Sequence, residues 1–356
     1  MRKLQRQAAR AAIKRSTSDA AAPQPMRLDD EWRRWAAENL LLGAPAEPIA
    51  QQLVQTGAPP QLVAAEIQAA TASPYFRAGS IVAARLAKRD WVLESLSRLA
   101  AMALPPDVPR IDRPRPESFL RDHYAASRPA VLTGMIDHWP ARTLWTLDHI
   151  GAIAGDPEIE VQTGRESNPK YEIRSDRHKE RMPLSALLDR LRSGEPSNDY
   201  YVTANNGGHN REALAALWSE IGDMPGFLAP DRTRDGFFWM GPKGTITPFH
   251  HDLTNNFLVQ IMGSKRVTLV PVWETPRMRN HVHCFSEWSS PDAFAALPPA
   301  QRPTTMTCTI GPGDALFIPV GWWHHVEGLD TTVGMSFTNF VWDNDFYTGY
   351  RSYGQM

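Results

Sequence analysis

The stretch from Asp235 to Trp342 constrains this chain most. It is a succession of short segments rich in Val, Ile, Thr and aromatic residues, among them Phe237–Gly241, Phe257–Met262, Arg266–Val272, Thr305–Ile310, Ala315–Val320 and Val333–Trp342. Gly241-Pro242, Gly263-Ser264, Gly311-Pro312-Gly313-Asp314 and Gly321 punctuate them. Strand formers cut at short intervals by turn residues predict a β-sandwich or jelly-roll barrel.

The region before it has a different texture. Residues 28–103 read as helical. Asp29 or Asp30 can cap a helix bearing Trp32, Trp35, Ala36 and Leu40, which Gly43 can end. A second helix carries Ile49 and Leu53 and stops near Gly57; a third opens at Pro59-Pro60. Pro74 opens a further stretch, and Asp90 reads as the N-cap of a last helix bearing Val92, Leu96 and Leu99. Such short helices bury little alone, so they need the main domain or a second copy of the chain as cover, and they are expected to form or complete a homodimer interface. Residues 104–116, with five prolines, read as an extended linker. Residues 117–233 read as mixed α/β, with a helix at Leu184–Leu191 and a strand at Tyr200–Thr203.

Composition narrows the function. A net charge of −1 argues against a broadly basic nucleic-acid binder. Two cysteines, Cys284 and Cys308, are too few for a disulfide scaffold or a thiolate zinc site and suit a reducing compartment. No apolar run is long enough for a membrane span. Residues 1–27 are basic and lack the apolar stretch of a secretory signal. They have some likeness to a mitochondrial presequence, but a solvated flexible tail is the simpler reading, and the expected location is cytoplasmic.

The chemistry concentrates in Thr247-Pro248-Phe249-His250-His251-Asp252. On a strand, residues two apart point the same way, so His250 and Asp252 can reach one cation. His324, in Gly321-Trp322-Trp323-His324-His325, is a candidate third ligand. Two imidazoles and one carboxylate on one face leave three coordination positions open, the pattern of non-haem iron(II) oxygenases. Lys265 opens the next strand, and a lysine directed into a barrel needs an anion. His251 and His325 are expected to face away from the metal. Trp322 and Trp323 read as packing and Cys308 as a core residue. The charged run Arg165–Arg181 reads as solvated surface.

Together these blocks resemble the JmjC and cupin-like oxygenases, whose fold is a double-stranded β-helix. The quoted stretches carry the resemblance: Trp239-Met240-Gly241 through Asp252, Asn256 through Arg266, and Gly311 through Val326. A weaker likeness reaches back to Phe119. Within the group the motifs look nearest to bacterial cupin-like proteins and to the asparaginyl hydroxylase of hypoxia-inducible factor. The resemblance implies a JmjC/cupin-like domain over 117–356, with its core barrel at 235–342. It implies Fe(II) on His250, Asp252 and His324. It also implies 2-oxoglutarate held by Lys265 and Thr247, with Tyr201 matched more loosely, and with Asn256 and Asn339 lining the pocket. Hydroxylation of a protein or peptide side chain is the expected activity, and N-demethylation would use the same iron chemistry. The polar run 165–181 and the long insertion 276–302 suit an open groove for a chain. Two other readings remain: a hydroxylase of free amino acids or other small molecules, and a non-catalytic metal-binding cupin sensor.

Overall fold

The computed structural model describes residues 28–102, 105, 107–230 and 234–352. The basic segment 1–27 lies outside the described residues, as do residues 103, 104 and 106 of the proline-rich stretch. The chain divides between Ser95 and Leu96 into two compact units.

Four helices form the first segment: α1 (Asp30–Leu41), α2 (Ala46–Gln55), α3 (Pro60–Ala72) and α4 (Pro74–Ala100). Asp29 caps α1 by accepting the Glu31 amide at 2.8 Å, which satisfies one of the free N–H groups of the first turn. Gly43 and Gly57 follow α1 and α2 with φ of 87° and 97°, a backbone that suits a residue without a β-carbon. Leu28, Ala36, Ile49, Leu53 and Val63 form one small core. The helix start expected at Asp90 is absent. The chain from Pro74 to Ala100 has no internal proline and is rich in Ala, Leu and Arg, so one helix runs through and Asp90 lies exposed within it. None of the 27 residues of α4 is buried. Among the described residues, no helix is long and apolar enough to cross a membrane.

The second unit is built on β-sheet. β1 (Arg110–Asp112) and β2 (Ala130–Thr133) come first, followed by β3 (Glu158–Thr163), β4 (Lys179–Pro183) and β5 (Tyr200–Tyr201), which make a three-stranded sheet. The barrel strands are β6 (Phe237–Gly241), β7 (Ile246–His251), β8 (Asn256–Met262), β9 (Lys265–Val270), β10 (Asn280–Val282), β11 (Phe285–Ser286), β12 (Met306–Ile310), β13 (Ala315–Ile318), β14 (Trp323–Gly328) and β15 (Thr332–Phe337). Together with β1 and β2 they form two six-stranded sheets, ordered β1-β2-β13-β8-β15-β6 and β10-β11-β7-β14-β9-β12. From β6 to β9, and again from β12 to β15, each strand lies in the other sheet from the one before. This winding is a double-stranded β-helix.

Strand β8 shows why its sequence is a continuous apolar run. Phe257, Val259 and Ile261 join the core that also holds Phe119, Trp139, Leu187 and Phe317. Leu258 faces the other way, into a second core with Leu269, Leu316, Ile318 and Val326. A strand buried on both faces loses the apolar–polar alternation of a one-sided sheet. Part of the expected linker is structured too. Arg110–Asp112 pairs in parallel with β2 and extends the barrel sheet, and Arg110 makes an ion pair with Asp314 at 2.5 Å.

Candidate metal centre

His250 and His324 face each other across the β7–β14 pair, in direct register. Asp252 lies one residue beyond the end of β7. The ligating atoms of the three residues lie within 4.8 Å of one another. His250 Nε2 is 3.7 Å from one Asp252 oxygen and His324 Nε2 is 3.9 Å from the other.

The protonation of the imidazoles follows from their partners. His250 Nδ1 lies 2.9 Å from the Pro248 carbonyl and His324 Nδ1 lies 3.0 Å from the Trp322 carbonyl. A carbonyl can only accept, so each Nδ1 carries a hydrogen, and Nε2 is the ring atom turned towards the centre. Burial, reinforced by the neighbouring His324, holds His250 down to about 4 and therefore neutral at physiological pH. For Asp252 burial pushes upward, but the two imidazoles and the Asn256 hydrogen bond outweigh it, and its carboxyl is held below the usual range. Asn256 Nδ2 donates to Asp252 Oδ2 at 3.0 Å, which orients the carboxylate. The Nε2 atoms of two imidazoles and one carboxylate on one side of a common point suit a divalent cation such as iron(II).

The triad opens into a cavity of about 420 Å³. Thr247, Lys265, Asn256 and Tyr201 line the same cavity. Simple alternation would not place both Thr247 and His250 there, because they are three residues apart. A β-bulge in β7 does so: His324 pairs with His250 but Val326 pairs with Thr247, so β7 carries one extra residue between them. Phe249 is thereby turned away into a packed cluster with Val270, Met278, Phe294 and Trp323.

Lys265 is 1% exposed. Among the described residues no carboxylate pairs with it. Its ammonium lies 5.8 Å from the Tyr201 ring centre and 5.7 Å from that of Trp239. Burial alone lowers its pKa from 10.5 to about 7. A buried lysine beside the triad, with no carboxylate partner among the described residues, could pair with an anionic group in the cavity.

Residues 116–347 match the cupin-like domain, and that span is well over half of the chain. The chain belongs to the cupin-like family, of the JmjC type. It is 29% identical over 249 residues to lysine-specific demethylase JMJ30 of Arabidopsis thaliana, covering 64% of this chain and 53% of that protein. It is 25% identical over 311 residues to the human bifunctional peptidase and (3S)-lysyl hydroxylase JMJD7, covering 77% of this chain and 96% of that protein. It is also 25% identical over 263 residues to human tRNA wybutosine-synthesizing protein 5, covering 68% and 79%. The chain spans little more than half the length of the demethylases it matches. The nearer likeness to the asparaginyl hydroxylase rests on the motif alone.

Other expected residues of this cupin-like domain lie elsewhere. Asn339 does not line the metal cavity. Past β15 the alternation continues, so Ser336 and Thr338 face that cavity while Phe337 and Asn339 face a second one on the other side. Asn339 Nδ2 donates to the Ala229 carbonyl at 2.9 Å. Asn339 shares its side of the chain with Phe337, a core residue two positions earlier. His251 and His325 point away from the triad, against Trp323 and Phe249. Trp322 and Trp323 are fully buried, and their indole N–H groups donate to the Ser127 carbonyl and to Thr275 Oγ1, both at 3.0 Å.

The charged run 165–181 is only partly surface. Arg165 is wholly buried over the Tyr171 and Tyr201 rings, with its centre 4.4 and 5.1 Å from theirs. It donates to Glu172 at 3.0 Å and to the Ile246 carbonyl of β7 at 2.7 Å. Glu172, Ile173 and Ser175 thus become cavity wall. The insertion after Pro276 is also ordered: β10 and β11 form a hairpin whose Phe285 pairs with His250, so it extends the metal-bearing sheet. Its residues His283, Cys284 and Phe285 line the cavity. Both segments are expected from sequence to border an open groove, but the sequence carries no signal for which of their residues are buried. Arg165 and Glu172 lie in a polar run, and their burial depends on aromatic residues brought from other segments.

Proposed function

We propose that this chain is an Fe(II)- and 2-oxoglutarate-dependent oxygenase that hydroxylates a side chain of a protein or peptide. The observation that carries the reading is the pairing, in one cavity, of an iron-type triad with a buried lysine that has no counter-ion among the described residues. Bound iron(II) and 2-oxoglutarate would supply oxidation of a C–H bond by O2, with succinate and CO2 as co-products.

The chain's own residues have definable tasks. His250, Asp252 and His324 would hold the metal from one side, with their tautomers set by the Pro248 and Trp322 carbonyls and the carboxylate oriented by Asn256. Lys265 would pair with the distal carboxylate of 2-oxoglutarate, and Thr247 would donate its hydroxyl to the same group. Tyr201, Trp239, Leu258 and Ile318 line the cavity and exclude water around that ion pair, which strengthens it. The wall residues from 172–175 and 283–285 would bound the substrate.

Support for a polypeptide substrate comes from relatives named for lysine demethylation and lysyl hydroxylation. Lysine N-demethylation would use the same centre and is distinguished by formaldehyde release. The test is succinate formation with Fe(II), 2-oxoglutarate and O2 in the presence of a peptide library, free amino acids, or tRNA. The tRNA arm answers to the wybutosine-synthesizing relative. Stimulation by peptides with a +16 Da product supports the reading; stimulation only by a metabolite or tRNA would sink the polypeptide assignment.

A further inference from the structure

The turn between β10 and β11 is held from two directions. His283, within it, has φ of 41°, a left-handed backbone that residues with a β-carbon rarely adopt. On one side, the Cys284 carbonyl accepts the His251 amide at 3.0 Å, and Phe285 pairs with His250. On the other, Tyr350 Oη donates to the His283 carbonyl at 2.8 Å. The Tyr350 ring meets those of His283 and His251 edge-on, with centres 5.5 and 5.8 Å apart. His283 Nδ1 also lies 3.0 Å from Ser352 Oγ.

A strained turn that lines the metal cavity is thus clamped between the ligand-bearing strand and residues far along the chain. The ligands have orienting bonds of their own, the two imidazoles to the Pro248 and Trp322 carbonyls and Asp252 from Asn256, and Tyr350 takes part in none of them. Lys265, on β9, is also independent of it. The clamp therefore acts on the remaining part of the cavity, where substrate would lie.

We propose that Tyr350 is a positioning residue: it fixes the His283–Phe285 turn as a wall of the substrate cavity, so that residues 350–352 govern which substrates reach the metal. The kinetic part of this inference rests on the oxygenase reading given above, whereas the position of the turn does not.

Cys284 provides a reporter inside the wall. Burial pushes its thiol up to about 12, which slows alkylation. Cys308, on β12, is similarly suppressed by burial and does not line the metal cavity. The full-length protein and its Tyr350→Phe and Tyr350→Ala variants would be treated with iodoacetamide under native conditions, with each cysteine followed by mass spectrometry. Loss of one such hydrogen bond should speed Cys284 labelling by about tenfold, and loss of the ring as well by more, with Cys308 unchanged. If Tyr350→Ala unfolds, Cys308 reports it by labelling faster too, and Tyr350→Phe decides alone. Cys284 reacting at the wild-type rate in Tyr350→Phe and in any folded Tyr350→Ala overturns the proposal. In the succinate assay the variants should raise the substrate KM and leave the KM for 2-oxoglutarate unchanged. If no substrate stimulates even the wild type, the oxygenase reading fails while the labelling still decides the wall.

Discussion

Replacing Lys265 with Met should change stability and binding in opposite directions. Lys265 is 1% exposed, and burial lowers its pKa from 10.5 to about 7. At about 1.4 kcal/mol for each tenfold change, keeping it charged in the folded state costs up to about 5 kcal/mol. A Met of similar length removes that cost, so the iron-loaded variant should melt at higher temperature than the wild type when 2-oxoglutarate is absent. The contacts with Tyr201 and Trp239 offset part of the gain. With 2-oxoglutarate the order reverses in affinity: a charge-assisted bond contributes about 1.5–3 kcal/mol, so Lys265→Met should bind it roughly 10–100-fold more weakly.

The pH dependence carries the same sign. As pH rises above 7 the folded lysine loses its proton, while the unfolded one keeps it to about 10.5. The unfolded state then binds more protons, so wild-type stability rises with pH through this window and the gap to Lys265→Met narrows. Paired with a carboxylate the lysine is charged again, so 2-oxoglutarate binding should take up a proton near pH 8. Anaerobic thermal melts with and without 2-oxoglutarate, and calorimetry in buffers of different ionisation enthalpy, read these effects. A variant that melts lower without 2-oxoglutarate, or binds it with wild-type affinity, would refute the reasoning.

Four further outcomes are expected. His250→Ala, Asp252→Ala and His324→Ala should each abolish iron(II) binding and 2-oxoglutarate turnover, whereas His325→Ala should keep both; metal titration and succinate release separate them. Asn256→Ala removes the hydrogen bond that orients Asp252 and should weaken metal binding by about 10–100-fold. Trp323→Phe loses the bond to Thr275 and should cost about 1 kcal/mol in urea unfolding with the ligands intact. Helix α4 exposes large apolar side chains, including Tyr75, Ile81, Val82, Leu86, Trp91 and Val92, and exposed apolar surface of this kind favours association. We propose that a second copy of this chain covers them; a monomer by light scattering at micromolar concentration, unchanged by Trp91→Glu, would contradict this.

Much of the barrel and its metal ligands was legible in the residue order. Strand formers broken by Gly, Pro and Asp are local signals, and the two-residue spacing of His250 and Asp252 fits strand geometry directly. The same locality allowed Lys265 to be read as a charge in need of an anion. Where several segments had to meet, the order of residues was silent. Arg165 is buried only because Tyr171, Tyr201 and the Ile246 carbonyl come together around it. Thr247 reaches the cavity only because β7 bulges, and Asn339 misses it only because the alternation of β15 runs on unbroken. The insertion reaches the cavity because Phe285 pairs with His250 of β7, and Tyr350, nearly seventy positions away, donates a hydrogen bond to its turn. Propensity and periodicity act over a few neighbouring residues, whereas a cavity wall is set by long-range packing, hydrogen bonding and desolvation, which only the tertiary structure decides.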